Sequence, residues 1–406
     1  MKNSSAPHSG NAPERIHGLD TLRAAALGLG IVLHALMPFL PGIPWLFSDS
    51  RSSPVAPVIV DGIHLFRMVL FMALAGFFGR MVLHRRSARA YVGDRLLRVG
   101  LPAVALWPVA VASIGVIAGI GAAMRGQEQA AGTMLDGVPE VLLLLSPAHL
   151  WFLWVLIECI LITVAVRAVL LRLLGRERSE RIASRIGGLL SSPAGVVIAA
   201  VPYLVCLLLQ GTTVGGIREP FTILPSVTAL TAYLGAFVVG WFLHAHAGSL
   251  RRIARGWPGQ LAAAAVLAVA VQLLPAQQTP LLLHAPLMAL AGWVWTFALI
   301  GLCVRFLQKE SRVTRYLADA SYWSYVLHLP VLIAVGLMFA DLDWPILVKL
   351  VVTCAITAGL LLCSYDLFVR STWIGKWLNG HRRPRVIAPR RSARVDSSDR
   401  IIEAGR

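Results

Sequence analysis

Charge is scarce in this chain, and negative charge is scarcer still. Of its 406 residues 14% are charged, and 20 Asp and Glu stand against 37 Lys and Arg. A soluble domain carries about 25% charged residues, so a surface wetted on all sides is excluded. Cysteine is sparse as well: Cys159, Cys206, Cys303, Cys354 and Cys363 make an odd set, each inside an apolar run and without metal-ligand spacing. They read as packing residues, which excludes a disulfide framework and any metal site. A cleavable signal peptide is not expected, because the first apolar run is too long and too polar in its details.

Apolar sequence fills the gap. The chain is 57% hydrophobic with a mean hydropathy of +0.71, and long apolar runs recur from end to end. That pattern predicts an all-α, polytopic integral membrane protein whose partner is the lipid bilayer. Ten spans are expected, at 19–40, 59–83, 97–121, 149–172, 193–210, 225–246, 260–275, 281–306, 321–340 and 344–369. The net charge of +17 would suggest nucleic acid for a soluble protein. Here the basic residues sit in short connections, so topology accounts for them and no nucleic-acid partner is expected.

The connections alternate in charge. Those at 80–98, 167–185, 251–255 and 305–315 carry six, six, three and four Lys or Arg, whereas those at 42–58, 122–148 and 211–224 carry one each. The positive-inside rule then places both termini in the cytoplasm. Residues 1–17 read as a disordered cytoplasmic tail, 18–370 as one membrane domain, and 371–406 as a basic, disordered cytoplasmic tail. Within the longest outer connection, Val138 to Leu145 suits a short surface helix.

Against this background a few polar residues are costly. A charge at mid-bilayer costs about 2.5–3.5 kcal/mol on insertion scales. The first span, LDTLRAAALGLGIVLHALMPFL, holds Asp20, Arg23 and His34; at 1.5 Å per residue, Arg23 and His34 stand about 16 Å apart. With the expected topology Arg23 lies near the inner face and His34 in the outer half. Asp61, His64 and Arg67 share one face of the second span, and His149 opens the fourth, with Trp151 beside it and Glu158 deeper. Inner arginines Arg95 and Arg98 form an R-x-x-R pair whose planar donors suit phosphate oxygens. Ordinary topology also puts arginines at such helix ends. Tyr322, Tyr325 and His328 recur on the ninth span, where Pro330 frees a carbonyl that His328 can satisfy. His244 and His246 read as interfacial.

Four stretches in order, LDTLR with the R-x(10)-H spacing, DRLLRVGLP, AHLWFLWVL and SYWSYVLHLPVL, resemble the acyltransferase-3 family of integral membrane acyltransferases. The run IHLFRMVLFMALAGFF is similar to that family's glucan-modifying branch, which acts in periplasmic glucan succinylation. The resemblance covers roughly 15–370. It implies a multi-pass enzyme of the bacterial cytoplasmic (inner) membrane that moves an acyl group from acyl-CoA, as acetyl-CoA or succinyl-CoA, to a hydroxyl of a glycan acceptor. It implies His34 as the catalytic histidine and Arg23, Arg95 and Arg98 as donor-holding residues, with acyl-CoA as substrate and no permanently bound cofactor.

With arginines near the inner face and His34 in the outer half, the expected chemistry has His34 as general base, Glu158 or else Asp61 orienting it, and Arg67 or His64 stabilising the oxyanion. An acyl-histidine is the other route. Asp20, His149, Trp151, Tyr322 and His328 are further candidates. The rival reading is a multispan transporter or flippase without covalent chemistry, since intramembrane His, Arg and Glu also suit proton-coupled carriers. A purely structural scaffold leaves the cost of these groups unexplained.

Overall fold

The computed structural model describes residues 16–43, 45–126 and 146–387. Among the described residues the structure is helical with no strand. The helices are α1 (His17–Leu36), α2 (Val55–Leu83), α3 (Ala88–Arg95), α4 (Leu101–Met124), α5 (Trp151–Leu174), α6 (Arg176–Leu190) and α7 (Gly195–Gln210). There follow α8 (Val227–Ala245), α9 (Ser249–Leu273), α10 (Leu281–Phe306), α11 (Arg312–Phe339), α12 (Ile346–Ser364) and α13 (Trp373–Asn379). The expected surface helix at Val138–Leu145 and most of both tails lie outside the described residues.

Nine helices among the described residues are long and apolar enough to cross a bilayer. The span expected at 193–210 is different. Helix α7 has 16 residues, fewer than the roughly 20 a bilayer asks for, and is joined to α6 through a 95° bend. Helix α6 runs against the ends of α2 and α8, where Glu180 pairs with Arg80 and lies 3.5 Å from His84. The segment expected at 260–275 is longer than predicted: α9 starts at Ser249 and absorbs the basic residues 251–255.

Helix α1 is the axis of the bundle, touching α2, α10, α11 and α12. Small residues bring neighbours close, the general device of membrane helix packing. A Cβ on Gly76 of α2 would overlap the Phe237 carbonyl of α8, and one on Gly240 of α8 would overlap the Ala73 carbonyl of α2. The two backbones are therefore in direct contact.

Between α3 and α4 the chain widens into a π-helical turn, Leu96–Gly100, and the whole Ala88–Met124 stretch serves as one span. Part of the tail expected to be disordered is folded. Helix α13 and the segment after it return to the bundle: Trp377 Nε1 donates to the Leu97 carbonyl at 2.8 Å. Arg383 reaches Asp319 at 3.1 Å, and the amides of Val386 and Ile387 donate to buried Asp366. Fixed carboxylates of α11 and the end of the α12 span thus capture a stretch whose composition reads as free.

Candidate active site

Two polar centres lie at opposite ends of α1. At its N-terminal end, where the basic connections gather, a cavity of about 320 Å³ is lined by Asp20, Arg23, Arg85, Lys309, Arg315 and Asp319 among others. Arg23 sits over the Phe78 ring at 5.7 Å, and Asp20, Arg95 and Asp319 are its charged neighbours. Asp20 is thereby placed as a counter-charge of Arg23 on the cavity wall. Arg95 lies over the Tyr91 ring at 5.4 Å with its Nε buried and unpartnered, so this guanidinium keeps donor capacity. Arg98 behaves otherwise. Its Nε pairs with Asp94 at 3.0 Å, and its guanidinium fills the space beside Gly380, where φ is +79° and a Cβ would overlap it. The R-x-x-R spacing predicts a shared face; the π turn and the returning C-terminal segment divide it.

The second centre lies at the C-terminal end of α1. The rings of His34 and His328 have centroids 5.3 Å apart, and those of His149 and His328 are 5.4 Å apart. Tyr325 lies 5.6 Å from His328, and its hydroxyl donates to the His149 carbonyl. Trp45, from the loop after α1, lies nearly parallel to His34, at 13° and 6.5 Å. The titratable neighbours of His34 are His328, Arg67, His149 and His64.

Backbone chemistry assigns two of these rings. Pro330 deprives the Val326 carbonyl of its helical donor, and His149 Nε2 takes it at 2.9 Å. A carbonyl only accepts, so His149 carries its proton on Nε2 and leaves Nδ1 bare; that Nδ1 is buried and unpartnered. His328 Nδ1 lies 2.6 Å from the Tyr325 carbonyl, which puts its proton on Nδ1 and a lone pair on Nε2. The carbonyl freed by Pro330 is thus satisfied by His149 rather than by His328, as the sequence suggested. His34 Nδ1 is buried with no partner.

Arg67 approaches α1 through a gap in its side chains. Its Nη1 lies 2.7 Å from where a Cβ on Gly30 would be, one helical turn before His34. The side chain is buried, and Nε is unpartnered. The loop residue Glu219 is a charged neighbour of Arg67. Glu219 keeps exposed surface, yet the protein around it desolvates the carboxyl and raises it above the usual range, with Arg67 opposing.

The two carboxylates expected to orient His34 are not in the set. Glu158 stands nine residues beyond His149, about 13 Å along α5, with Oε2 buried and unpartnered. Asp61 is exposed, two turns from Arg67 towards the start of α2. Trp151 packs on Tyr233 at 5.4 Å, and the Tyr322 hydroxyl ties α11 to the π turn through the Val99 carbonyl at 3.0 Å. Trp45 reads in the sequence as a membrane-interface anchor and Glu219 carries no signal there, since both sit in loops without periodicity. Sequence reasoning missed Arg85, Lys309 and Arg315, which read as ordinary topology arginines and lysines. Asp319, an acid on a mostly apolar helix, is a sequence signal for the wall of the basic cavity.

Comparison with known proteins agrees with this architecture. The profile of an acyltransferase domain of the acyltransferase-3 family matches residues 16–369. Glucans biosynthesis protein C of Escherichia coli (strain K12) is 30% identical over 96 residues, 24% of this chain and 25% of that protein. The protein of the same name from Shigella boydii serotype 4 (strain Sb227) is 29% identical over the same length. The chain therefore matches about a quarter of the length of these curated relatives. No solved structure matches. With a profile of an acyltransferase domain that runs through the long apolar helices of a multi-pass membrane protein, the chain belongs to the acyltransferase-3 family.

Proposed function

We propose that the enzyme transfers an acyl group, acetyl or succinyl, from acyl-CoA at the basic end to a hydroxyl of a cell-envelope glycan at the other end. The carrying observation is that α1 lines both centres, with Arg23 in the basic cavity and His34 among the histidines. Their separation is about 16 Å, a span suited to the long, flexible pantetheine arm of CoA. The glycan acceptor is supported by the partial likeness to proteins named for glucans biosynthesis. Charge asymmetry supports the orientation, with the basic end and both termini cytoplasmic in the bacterial inner membrane.

In this reading Arg23 and Arg95 hold the donor's phosphates, with Arg85, Lys309 and Arg315 adding positive field around the cavity. Arg98, tied to Asp94, acts by holding the C-terminal segment in place. Neutral His34 takes the proton from a sugar hydroxyl as its oxygen attacks the thioester carbonyl. Arg67, brought against α1 at Gly30, stabilises the oxyanion, and His64 stands behind it. Collapse breaks the C–S bond; the CoA thiolate leaves and recovers the proton from the imidazolium, giving an ester and free CoA. His328, its ring 5.3 Å from that of His34 and its Nδ1 tied to the Tyr325 carbonyl, takes the orienting role for which a carboxylate was expected. The test is mass spectrometry of envelope glycans from cells with and without the protein. Ester-linked acetyl or succinyl that depends on the protein and on His34 supports the reading. Unchanged glycans overturn it.

A further inference from the structure

The loop that follows α1 is built more firmly than a surface connection requires. The Asp49 amide donates to the Pro38 carbonyl at 3.0 Å, Ser53 to Phe39 at 2.9 Å and Ser50 to Ala340 at 3.1 Å. Phe47 is buried with Leu329 and Ile333 and rests on Gly336, where a Cβ would come 2.6 Å from the Phe47 ring. The Asp49 carboxylate accepts two hydrogen bonds from Lys349 Nζ, at 2.7 and 2.9 Å. Nζ also donates to the Ala340 carbonyl at 3.0 Å. The pair is nearly dry, with side-chain exposures of 1% and 3%. A buried ion pair is a poor source of stability, because desolvating the two charges offsets their attraction; its best-attested use is to specify one arrangement.

What this anchoring specifies is the place of Trp45. Phe47 and Asp49 are fixed from below, while Trp45 remains half-exposed beside them. Its indole is nearly parallel to the His34 imidazole, and its flank is held by Phe47 at 5.7 Å. An indole face is broad, apolar and electron-rich. A pyranose has the complementary shape, with a face of polarised axial C–H bonds and a rim of hydroxyls. Laid on an aromatic ring, such a sugar keeps its hydroxyls pointing sideways, and a sugar lying along the indole plane lies nearly parallel to the imidazole whose centroid is 6.5 Å from that of the indole.

We propose that Trp45 is the stacking platform of the acceptor subsite, receiving the C–H face of a glucopyranose and delivering one rim hydroxyl to His34. This rests on the acyl-to-glycan reading above. The Asp49–Lys349 pair is its positioning element. The subsite selects for sugars with equatorial hydroxyls, because an axial hydroxyl on the stacked face lifts the ring off the indole.

The test uses the full-length protein in lipid nanodiscs, acetyl-CoA and succinyl-CoA as donors, and β-linked gluco-oligosaccharides as acceptors. Trp45→Ala is expected to raise the acceptor KM about tenfold, with donor KM and the CoA-induced thermal shift retained as the control for folding. Trp45→Phe is expected to fall between. Transfer by Trp45→Ala with an unchanged acceptor KM overturns the platform alone, as does an equal rise in both KM values. A wild-type protein that consumes acyl-CoA but acylates no oligosaccharide overturns the glycan reading and the platform with it.

Discussion

His34 and His328 face each other with ring centroids 5.3 Å apart, although one belongs to the first helix and the other to the eleventh. A further ring stands beside each, Trp45 at 6.5 Å from His34 and His149 at 5.4 Å from His328, but their backbone ties differ. His328 is fixed by the Tyr325 carbonyl, His149 by the Val326 carbonyl, and His34 Nδ1 is buried without a partner. The histidines therefore divide by role, and substitution separates them.

His34→Ala is expected to abolish acyl transfer while the protein inserts and unfolds thermally as the wild type does. His328→Ala is expected to reduce turnover by about 10²-fold, the scale of a lost proton-transfer or orienting group. His149→Ala differs in kind, because it leaves the Val326 carbonyl unpaired and costs about 1–3 kcal/mol of stability. Labelled acyl transfer and thermal unfolding, measured on the same preparations, check all three. Wild-type turnover in His34→Ala would remove the histidine mechanism.

Gly30 gives a prediction in which stability and activity move in opposite directions. Alanine is a better helix former than glycine by about 1 kcal/mol, and the atom a new Cβ meets is the tip of the Arg67 side chain, which can swing away. Gly30→Ala is thus expected to keep or raise the melting temperature and to cut turnover at least tenfold, with donor KM retained. A variant as active as the wild type would show that Arg67 works without touching α1.

The membrane class and the axis were legible because they rest on long-range composition and on costly groups. Arg23 and His34 stand out against an apolar helix whatever its neighbours are. The relation between helices was less legible. R-x-x-R at Arg95 and Arg98 reads as one face, and the sequence holds no local mark of the π turn that separates them. Pro330 announces a free carbonyl but not the identity of its partner, since His149 lies far away in the chain. Trp45 owes its position to Phe47, Asp49 and Lys349, a set scattered over the chain. The expected disorder failed over residues 371–387 for a similar reason: Asp319 and Asp366 supply from elsewhere the partners that a basic, Pro-containing segment lacks in itself.

Donor binding distinguishes the inner arginines. Arg23→Ala and Arg95→Ala are expected to weaken acyl-CoA binding about tenfold each, on the scale of one charge-assisted contact. Arg98→Ala is expected to affect binding less and to loosen the C-terminal segment, through loss of its bond to Asp94 and its packing on Gly380. Thermal shift against CoA concentration reads the first effect, and limited proteolysis after residue 370 reads the second. Equal losses of binding in all three variants would return Arg98 to the donor site.

The buried pair Asp49–Lys349 allows a double-mutant cycle. Removing one partner strands the other charge in a dry site, at a cost of about 3–5 kcal/mol. Lys349→Met is expected to fall in that range, and Asp49→Leu with Lys349→Met to recover much of it. If the pair serves positioning, the double variant will be stable and yet retain a raised acceptor KM. Full recovery of both properties would reduce the pair to packing.

Glu219 makes stability depend on pH with a sign that can be worked out. An unfolded glutamate titrates near 4.3, and desolvation by the surrounding protein raises the folded carboxyl above its usual range, with the Arg67 charge opposing. The folded state therefore holds this proton more tightly than the unfolded chain does. Its contribution to stability is present in full below the unfolded value and is lost as pH rises through the folded one. Glutamine does not titrate, so Glu219→Gln lacks that loss. The melting temperature of the variant relative to the wild type should climb from acid towards neutral pH, with most of the change above about pH 4.3. Paired unfolding curves across that interval measure it. A difference that stays constant with pH would mean that Glu219 is as solvated in the folded protein as in the unfolded chain, and its place beside Arg67 would then have no electrostatic consequence.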